Sequence, residues 1–388
     1  MRRVGLATTV LLLAACVDRG QVLGPGTPVV LQASPVRLAL GQQHACSVVN
    51  GALSCWGLDD DGQLGTPPVT PGVGQMANAV SGASSWTVPA AGGRHSCGLD
   101  AGGRVWCWGA NDVGQLGSGD QAPSTTPRAV ELPSAALDVR TLFDHTCALL
   151  ADATLWCWGA NVEGQLGQGD QYPGQARSLP VQVGTNRDWT FVATGQGHSC
   201  GIRAPGTLFC WGRNTDGELG QGNTQDAELR SPTQVGSDSD WVEVACGQNE
   251  TCARKANGHL FCWGTGQYGA LGLGDLAERD SPTEVPAIAD WVQVSTNTFH
   301  TCGLRASGQI WCAGRDTEGQ LGTPDHADAI PNLQLADPNA GWVEVRAGRF
   351  FTCGRKGDGT TWCLGKNSAN ELNAGANVPS SDVMIRAL

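Results

Sequence analysis

The chain has 388 residues and a formal net charge of −12, and such an acidic surface repels phosphate backbones, which disfavours a nucleic-acid-binding function. Its 55 glycines and its low content of charged residues, 15%, predict many tight turns between buried strands and few helices. After the N-terminal segment, no stretch of the chain is apolar for long enough to span a bilayer.

The N-terminus has the pattern of an export signal. Basic residues precede an apolar run, and the run ends in Leu13-Ala14-Ala15-Cys16, which resembles a bacterial lipobox. We therefore expect residues 1–15 to be a lipoprotein signal peptide, Cys16 to carry the lipid, and residues 16–28 to form a Gly- and Pro-rich tether. The predicted location is the cell envelope, and Val17 favours the outer membrane.

From residue 29 to residue 388 the chain repeats one pattern seven times. His95-Ser96-Cys97 and the later Val105-Trp106-Cys107-Trp108-Gly109 return almost unchanged from His145 and from Leu155. The first cysteines of the units are 50 to 53 residues apart, which is enough for four short antiparallel strands with their turns. The repeat predicts an all-β fold in one domain: a seven-bladed β-propeller with four-stranded antiparallel blades.

Each unit also holds a second cysteine. If the two cysteines face each other across a hairpin, Asn50-Gly51 forms the turn of the first unit, and a loop such as Ala101-Gly102-Gly103 forms the turn of the others. Facing cysteines on paired strands are close enough for a disulfide, and an exported protein meets an oxidising compartment. Zinc ligands usually come as more closely spaced pairs. We therefore predict one hairpin disulfide per blade: Cys46–Cys55, Cys97–Cys107, Cys147–Cys157, Cys200–Cys210, Cys252–Cys262, Cys302–Cys312 and Cys353–Cys363.

Cys246 is left without a partner in this scheme. It stands where the preceding unit has Thr194. A nucleophilic cysteine would need a positioned base, so we interpret Cys246 as a small buried packing residue.

Tryptophans recur at fixed positions of the units. The strand before most hairpins reads Trp-x-x-Val, and Trp106 and Trp108 flank Cys107. We interpret these indoles as packing between blades rather than as a stacking platform for a ligand.

Two runs recur in the units, Gly-x-x-His-(Ser/Thr)-x-x-Leu and Cys-Trp-Gly-x-Asn-x-x-Gly-Gln-Leu-Gly. From about Pro35 to the C-terminus they resemble the repeat of the RCC1 (regulator of chromosome condensation) family. The resemblance implies a seven-bladed propeller whose terminal blade combines strands from both chain ends, here Val36–Leu40 or Val29–Gln32 with Asp382–Ile385. The last unit has Asn370-Glu371-Leu372-Asn373 in place of Gly-Gln-Leu-Gly, which leaves its loop geometry open.

Five histidines occupy one position of the repeat, and Glu250 and Phe351 replace them in two units. These histidines are His44, His95, His145, His198 and His300. A ring of imidazoles is a conceivable metal site. A structural role fits better, because equivalent groups on separate blades lie far apart unless they are at the axis, and the family resemblance implies a strand-end residue bonded to the backbone. We predict no metal and no cofactor.

Acidic residues recur just before Gly-Gln-Leu-Gly. They are Asp60, Asp61, Asp112, Glu163, Asp216 and Glu318. Because equivalent loops lie on one side of a propeller, these residues predict an acidic rim that attracts a basic partner or cations. The alternative is a solubilising face.

These features favour a non-enzymatic, envelope-anchored and monomeric scaffold that binds an unknown protein or glycan and no nucleic acid. The family resemblance offers guanine-nucleotide exchange on a small GTPase as an alternative. A third hypothesis, a polysaccharide-pathway enzyme, requires a pair of carboxylates in the central cleft.

Overall fold

The computed structural model describes residues 37–67, 74–169, 174–286, 288–375 and 377–388. The predicted signal peptide, Cys16, the tether and Val29–Gln32 lie outside the described residues. Within the described ranges, no helix is both long and apolar enough to cross a membrane.

The described residues contain twenty-eight strands, which form seven four-stranded antiparallel sheets and confirm the predicted seven-bladed propeller. The first strands of the sheets are β1 (Leu38–Leu40), β5 (Trp86–Ala91), β9 (Ala136–Thr141), β13 (Trp189–Thr194), β17 (Trp241–Cys246), β21 (Trp291–Thr296) and β25 (Trp342–Ala347). The second strands are β2 (His44–Val49), β6 (His95–Asp100), β10 (His145–Leu150), β14 (His198–Arg203), β18 (Glu250–Lys255), β22 (His300–Arg305) and β26 (Phe351–Lys356). The third strands are β3 (Ala52–Gly57), β7 (Val105–Gly109), β11 (Leu155–Gly159), β15 (Thr207–Arg213), β19 (Leu260–Gly264), β23 (Ile310–Gly314) and β27 (Thr361–Lys366). The fourth strands are β4 (Gln75–Ala79), β8 (Ser124–Ala129), β12 (Arg177–Gln182), β16 (Glu228–Gln234), β20 (Arg279–Glu284), β24 (Ile330–Leu335) and β28 (Ser380–Arg386).

The first strands surround the propeller axis. Each contacts the first strand of the next blade, and β25 contacts β1, so the seven strands close a ring around a central channel. Residues of all seven of these strands line the channel, while the buried valine of Trp-x-x-Val packs in the clusters between blades. A short 3₁₀ turn, Gln267–Gly269, interrupts the long loop of the fifth blade.

The two chain ends do not share a blade among the described residues. Strand β1 pairs with β2, and β28, which contains Asp382–Ile385, pairs with β27 of its own blade. The family-based expectation that Val36–Leu40 pairs with Asp382–Ile385 is therefore wrong, because enough chain follows Cys363 to supply a fourth strand. The alternative with Val29–Gln32 lies outside the described residues. Side chains close the ring instead: the Trp56 indole donates to the Glu371 carbonyl at 2.8 Å, and the Asn373 amide oxygen accepts from the Ala77 N–H at 2.8 Å.

The seven predicted hairpin disulfides are confirmed. In each blade the two cysteines are direct partners on the second and third strands, with their Cα atoms 4.1 Å apart. Asn50 and Gly51 both have positive φ, 51° and 81°, as the two-residue turn requires. Ala153 takes φ 59° where other units have glycine, while the Asp152 side chain accepts from the Thr154 hydroxyl.

The indoles pack between blades, as predicted. Trp108, Trp158, Trp211 and Trp263 are fully buried, and Trp108 of the second blade packs in one cluster with Leu64 of the first blade. In that cluster Trp108 also meets Trp86 of its own blade edge to face, with ring centroids 6.0 Å apart. The core is therefore divided into one cluster at each junction of neighbouring blades.

Replacing Cys97 and Cys107 together by alanine should lower the free energy of unfolding by about 3 kcal/mol, because the bridge no longer restricts the unfolded chain. The matched control is Cys246→Thr, which removes the one free cysteine of the described residues and introduces the residue found at this position in other blades. Urea unfolding under oxidising conditions measures both variants. Equal stability of the double variant and the control would contradict a stabilising role for the bridge.

Candidate functional site

The connections between strands divide the propeller into two faces. Turns from first to second strands and loops from third to fourth strands emerge on one side, which we call the long-loop face; in the second blade these are residues 92–94 and 110–123. The hairpin turns and the blade-to-blade connections emerge on the opposite side, the short-turn face.

The repeated residues of the long loops build the loops themselves. The Asn111 side-chain oxygen accepts from the Leu116 N–H at 3.0 Å, and the Gln115 side-chain oxygen accepts from the Val113 N–H at 3.0 Å. Gly114 and Gly117 take φ values of 80° and 68°, which favour glycine. Leu116 is thereby fixed in the core, fully buried.

The degenerate loop of the seventh blade keeps this geometry. Asn370 and Asn373 replace the two glycines and take φ values of 60° and 53°. Asparagine tolerates the left-handed region better than most residues. The Leu372 N–H still bonds to the Asn367 side chain at 2.8 Å.

The repeated histidines join neighbouring blades. His145 Nε2 lies 2.8 Å from the Ser199 hydroxyl of the next blade, and that hydroxyl donates to the Gln165 carbonyl at 2.9 Å. The Trp211 indole donates to the same carbonyl at 2.9 Å. The hydroxyl donates its one proton to the carbonyl, so it can only accept a hydrogen bond from the imidazole. The Nε2–H of His145 therefore donates to the Ser199 hydroxyl. We call this set of bonds the blade relay.

The histidine–hydroxyl–carbonyl part of the blade relay recurs at the other histidines. The pairs are His44 with Ser96, His95 with Thr146, His198 with Thr251 and His300 with Thr352, at 2.8 to 2.9 Å. The expectation of a histidine bonded directly to backbone is therefore corrected: each imidazole reaches the carbonyl through a hydroxyl. Each Nε2 serves a joint between blades rather than an ion.

Burial sets the charge of the relay. It lowers the pKa of His44 to about 4 and those of His95, His145, His198 and His300 to about 3, so the imidazoles are neutral near pH 7. Glu250 takes the histidine position in the fifth blade, and burial raises its pKa to about 8. Its carboxyl group accepts from the Thr296 hydroxyl at 2.7 Å and from the Asn249 N–H at 3.0 Å.

Cys246 is a buried thiol beside this network. Within the described ranges, one group brings three metal-ligand atoms within 4.8 Å of one another, and it contains His198, Cys200 and Cys246. Cys200 is already bonded to Cys210, which removes its thiolate. Burial raises the pKa of the Cys246 thiol far above its usual value, so the nucleophilic thiolate is suppressed.

The six predicted rim acids lie in the long loops, and several of them are engaged within the face. Arg94 stands between Asp61 and Asp112, at 3.3 and 2.7 Å. The Asp216 carboxylate accepts from the Asn249 side chain at 2.7 Å. The contacts of Arg94 with Asp61 and of Asn249 with Asp216 connect the turn of one blade to the loop of the blade before it, whereas Arg94 and Asp112 belong to the same blade.

The central channel holds paired charges. The cavity between its first strands has a volume of about 110 Å³ and is lined by Arg140, Glu243 and Arg346 among small and apolar residues. Asp138 and Glu344 lie on the same strands as these arginines. Arg140 bonds to Asp138 at 2.8 Å, and Arg254 bonds to Glu243 at 3.1 Å. Glu344 contacts two cations, Arg346 at 3.2 Å and Arg355 at 3.1 Å. Each of these carboxylates is thus tied to a guanidinium group.

Aromatic and basic side chains gather at the channel mouth on the long-loop face of blades five to seven. We call this group the aromatic–cation cluster; its members are Tyr268, Phe299, Arg315, Arg349, Phe350 and Lys366. All six side chains are half-buried. Tyr268 takes a left-handed conformation, φ 61° and ψ 3°, that bulky residues rarely adopt.

The model of the RCC1-like domain family matches residues 13–333. The chain belongs to the RCC1-like family. The match covers most of the propeller, and the blade count and strand order described above agree with it.

Similar proteins share this RCC1-like region. The ultraviolet-B receptor UVR8 of Arabidopsis thaliana is 30% identical over 252 residues, 62% of this chain and 44% of the receptor. The human E3 ubiquitin-protein ligase HERC2 is 28% identical over 184 residues, which cover 47% of this chain and 3% of the ligase. The chain therefore spans less than half the length of these relatives.

Solved structures confirm the RCC1-like fold. Prp20p of Saccharomyces cerevisiae has a TM-score of 0.78 at 20% identity and covers 88% of this chain and 87% of its own. Human WBSCR16 has a TM-score of 0.76 at 19% identity, covering 87% of this chain and 94% of its own. These likenesses concern the fold alone.

Sequence reasoning missed the aromatic–cation cluster, because its members depart from the RCC1-like repeat. Phe299 and Phe350 precede the histidine position, where other units have polar residues or glycine, and Tyr268 stands where Asp61 and Asp216 stand in their units. A comparison of the non-matching residues at each repeat position would have revealed the cluster.

The blade relay predicts that stability decreases in acid. Between pH 6.5 and about 3 the unfolded chain protonates histidines that the folded chain keeps neutral, so the free energy of unfolding falls as the pH falls through this range. His145→Gln retains an N–H donor without a titrating group and should reduce this slope by roughly 1.4 kcal/mol per pH unit. Urea unfolding across the range measures it. The control His326→Asn changes an exposed histidine outside the relay, and an unchanged slope in His145→Gln would contradict the assignment.

Glu250 changes the pH dependence of the free energy of unfolding in the opposite direction. Its pKa rises from 4.5 in the unfolded chain to about 8 in the folded chain, so its contribution is complete below pH 4.5 and is lost as the pH rises through 8. Glu250→Gln should remove this alkaline loss in urea unfolding measured from pH 4.5 to pH 8, and an unchanged profile over this range would contradict the assignment.

Proposed function

We propose that this chain is a non-enzymatic binding scaffold that holds a protein or glycan partner on its long-loop face and is anchored to a bacterial envelope through Cys16. The observation that carries the proposal is that the repeated residues and the residues that vary between blades have different roles. The repeated residues are used in loops, relays and disulfides, whereas the residues that differ between blades are half-exposed around one mouth of the channel.

The chemistry of the interior supports binding rather than catalysis. General acid catalysis in the cleft would require a free carboxyl group. The carboxylates of the first strands, Asp138, Glu243 and Glu344, are paired with arginines, and the Cys246 thiol is held protonated by burial. Among similar folds, Prp20p has binding properties toward Gsp1p and histones, so a propeller of this type serves there as a protein-binding surface.

The acidic residues of the long loops favour a partner with basic groups on the first four blades. Asp60 is exposed at the outside of its loop, and the Asp112 carboxylate retains 59% exposure beside Arg94. Incompletely covered carboxylates on one side of the face would steer a basic partner to it.

A photo-crosslinking residue placed at Asp112 or Glu318 should capture the partner in intact cells, because both positions lie on the long-loop face. The same residue placed at Asn257, an exposed position in a hairpin turn on the short-turn face, is the matched control. Mass spectrometry of the adducts identifies the partner. If adducts formed only from Asn257, the partner would bind the short-turn face and the proposed binding face would be wrong.

The anchoring part of the proposal has a separate test. Cys16→Ser should release the protein from the membrane fraction, because the acylated thiol would be lost while the soluble body is unchanged. Fractionation followed by immunoblotting measures the distribution, with Cys246→Ser as the control cysteine variant. Continued membrane residence of Cys16→Ser would refute lipid anchoring.

A further inference from the structure

Three cations surround one aromatic ring in the aromatic–cation cluster. The Arg349 guanidinium and the Lys366 ammonium each lie 5.1 Å from the Phe350 centroid, and the Arg315 guanidinium lies 5.8 Å from it. Arg315 also lies 5.1 Å from the Tyr268 centroid. Rings of blades five to seven thus hold three positive charges together on a protein whose net charge is −12.

The charges of this cluster are poorly compensated. Arg315 pairs with Asp328 at 3.0 Å, but that carboxylate is 67% exposed, and such pairs contribute little. Neither Arg349 nor Lys366 makes an ion pair with any residue in the described ranges, and the buried Nε of Arg349 has no hydrogen-bond partner there. Like charges this close repel each other, and contact with ring faces compensates only in part. An anionic group at this place would relieve the repulsion.

The rings determine which kind of anion fits. Phe299 and Phe350 lie 4.9 Å apart at 30°, Tyr268 meets Phe299 edge to face at 5.5 Å, and the cations cover ring faces. A sugar would need a free ring face on which to stack. The uncovered surface of the cluster consists of ring edges and guanidinium edges, both of which are electropositive. These edges match carboxylates in geometry and charge.

We propose that the aromatic–cation cluster binds an acidic polypeptide segment through its Asp and Glu carboxylates. This inference rests on the proposed function and names the partner chemistry for blades five to seven. The first four blades present Asp61 and Asp112 on the same face, and their carboxylates repel an acidic segment even though Arg94 pairs with them. The segment is therefore directed to the cluster, where unpaired cations lie beside apolar rings.

Fluorescence anisotropy of the full chain with a labelled poly-glutamate peptide tests the inference, with poly-glutamine and polygalacturonate as comparison probes. We expect poly-glutamate to bind, and Arg349→Gln or Lys366→Gln to weaken it by roughly tenfold. Added salt should weaken binding as well. The matched control is Arg187→Gln, which removes the same charge from an exposed arginine paired with Asp152 on the short-turn face and should leave binding unchanged. Tryptophan fluorescence and the count of free thiols verify that each variant is folded.

Three outcomes would overturn the inference. They are absence of poly-glutamate binding, equal weakening by Arg187→Gln and Arg349→Gln, and tighter binding of polygalacturonate than of poly-glutamate. The last outcome would retain a scaffold function with a glycan partner. Photo-crosslinking in cells reports on the scaffold function by itself, so failure of the peptide assay and failure of the proposed function are distinguishable.

Discussion

At six of the seven blade junctions that the structure describes, a backbone carbonyl in the long loop holds one blade to the next. In the third blade it belongs to Gln165, and it accepts one proton from the Trp211 indole and one from the Ser199 hydroxyl. Both donors come from the fourth blade, and the His145 imidazole orients the hydroxyl. A buried carbonyl has two lone pairs to satisfy, and this joint satisfies both across the blade boundary.

This joint explains why so many polar residues repeat. An imidazole that must donate in a dry interior has to be neutral, and burial keeps it so by lowering its pKa. The first blade meets the last through the same kind of bond, from the Trp56 indole to the Glu371 carbonyl. The ring can therefore close without exchanging strands between the chain ends. The repeated residues of this family member join the blades, whereas the residues proposed for recognition stand at positions that differ between blades.

The sequence was sufficient for the local structure of each blade. Cysteine spacing changes by one residue where Asn50-Gly51 replaces a three-residue turn, and this change alone determines which residues face each other. The long-range contacts could not be predicted from the sequence. Nothing in the local pattern of His145 indicates that its partner is Ser199, because that contact depends on how two sheets pack. The strand Asp382–Ile385 was predicted, but its pairing with Val36–Leu40 was wrong for the same reason, since pairing with either chain end satisfies its alternation.

The cluster of Phe299, Phe350 and Tyr268 was also inaccessible from the sequence. These residues belong to three blades and are far apart along the chain, and only the radial arrangement brings them together. Each is unremarkable as a single departure from the repeat. Their proximity, together with two cations that lack an ion pair among the described residues, gives the long-loop face its chemical asymmetry.

The most direct measurement is a substitution scan of the long-loop face with two readouts on every variant, the free energy of unfolding and the retention of the crosslinked partner. Repeated residues such as Asn111 and His145 should lose stability, with partner retention following only the folded fraction. Varied residues such as Phe299 and Arg349 should lose the partner while stability stays within about 0.5 kcal/mol of the parent. If the two losses coincide residue by residue, the separation of blade building from recognition is wrong.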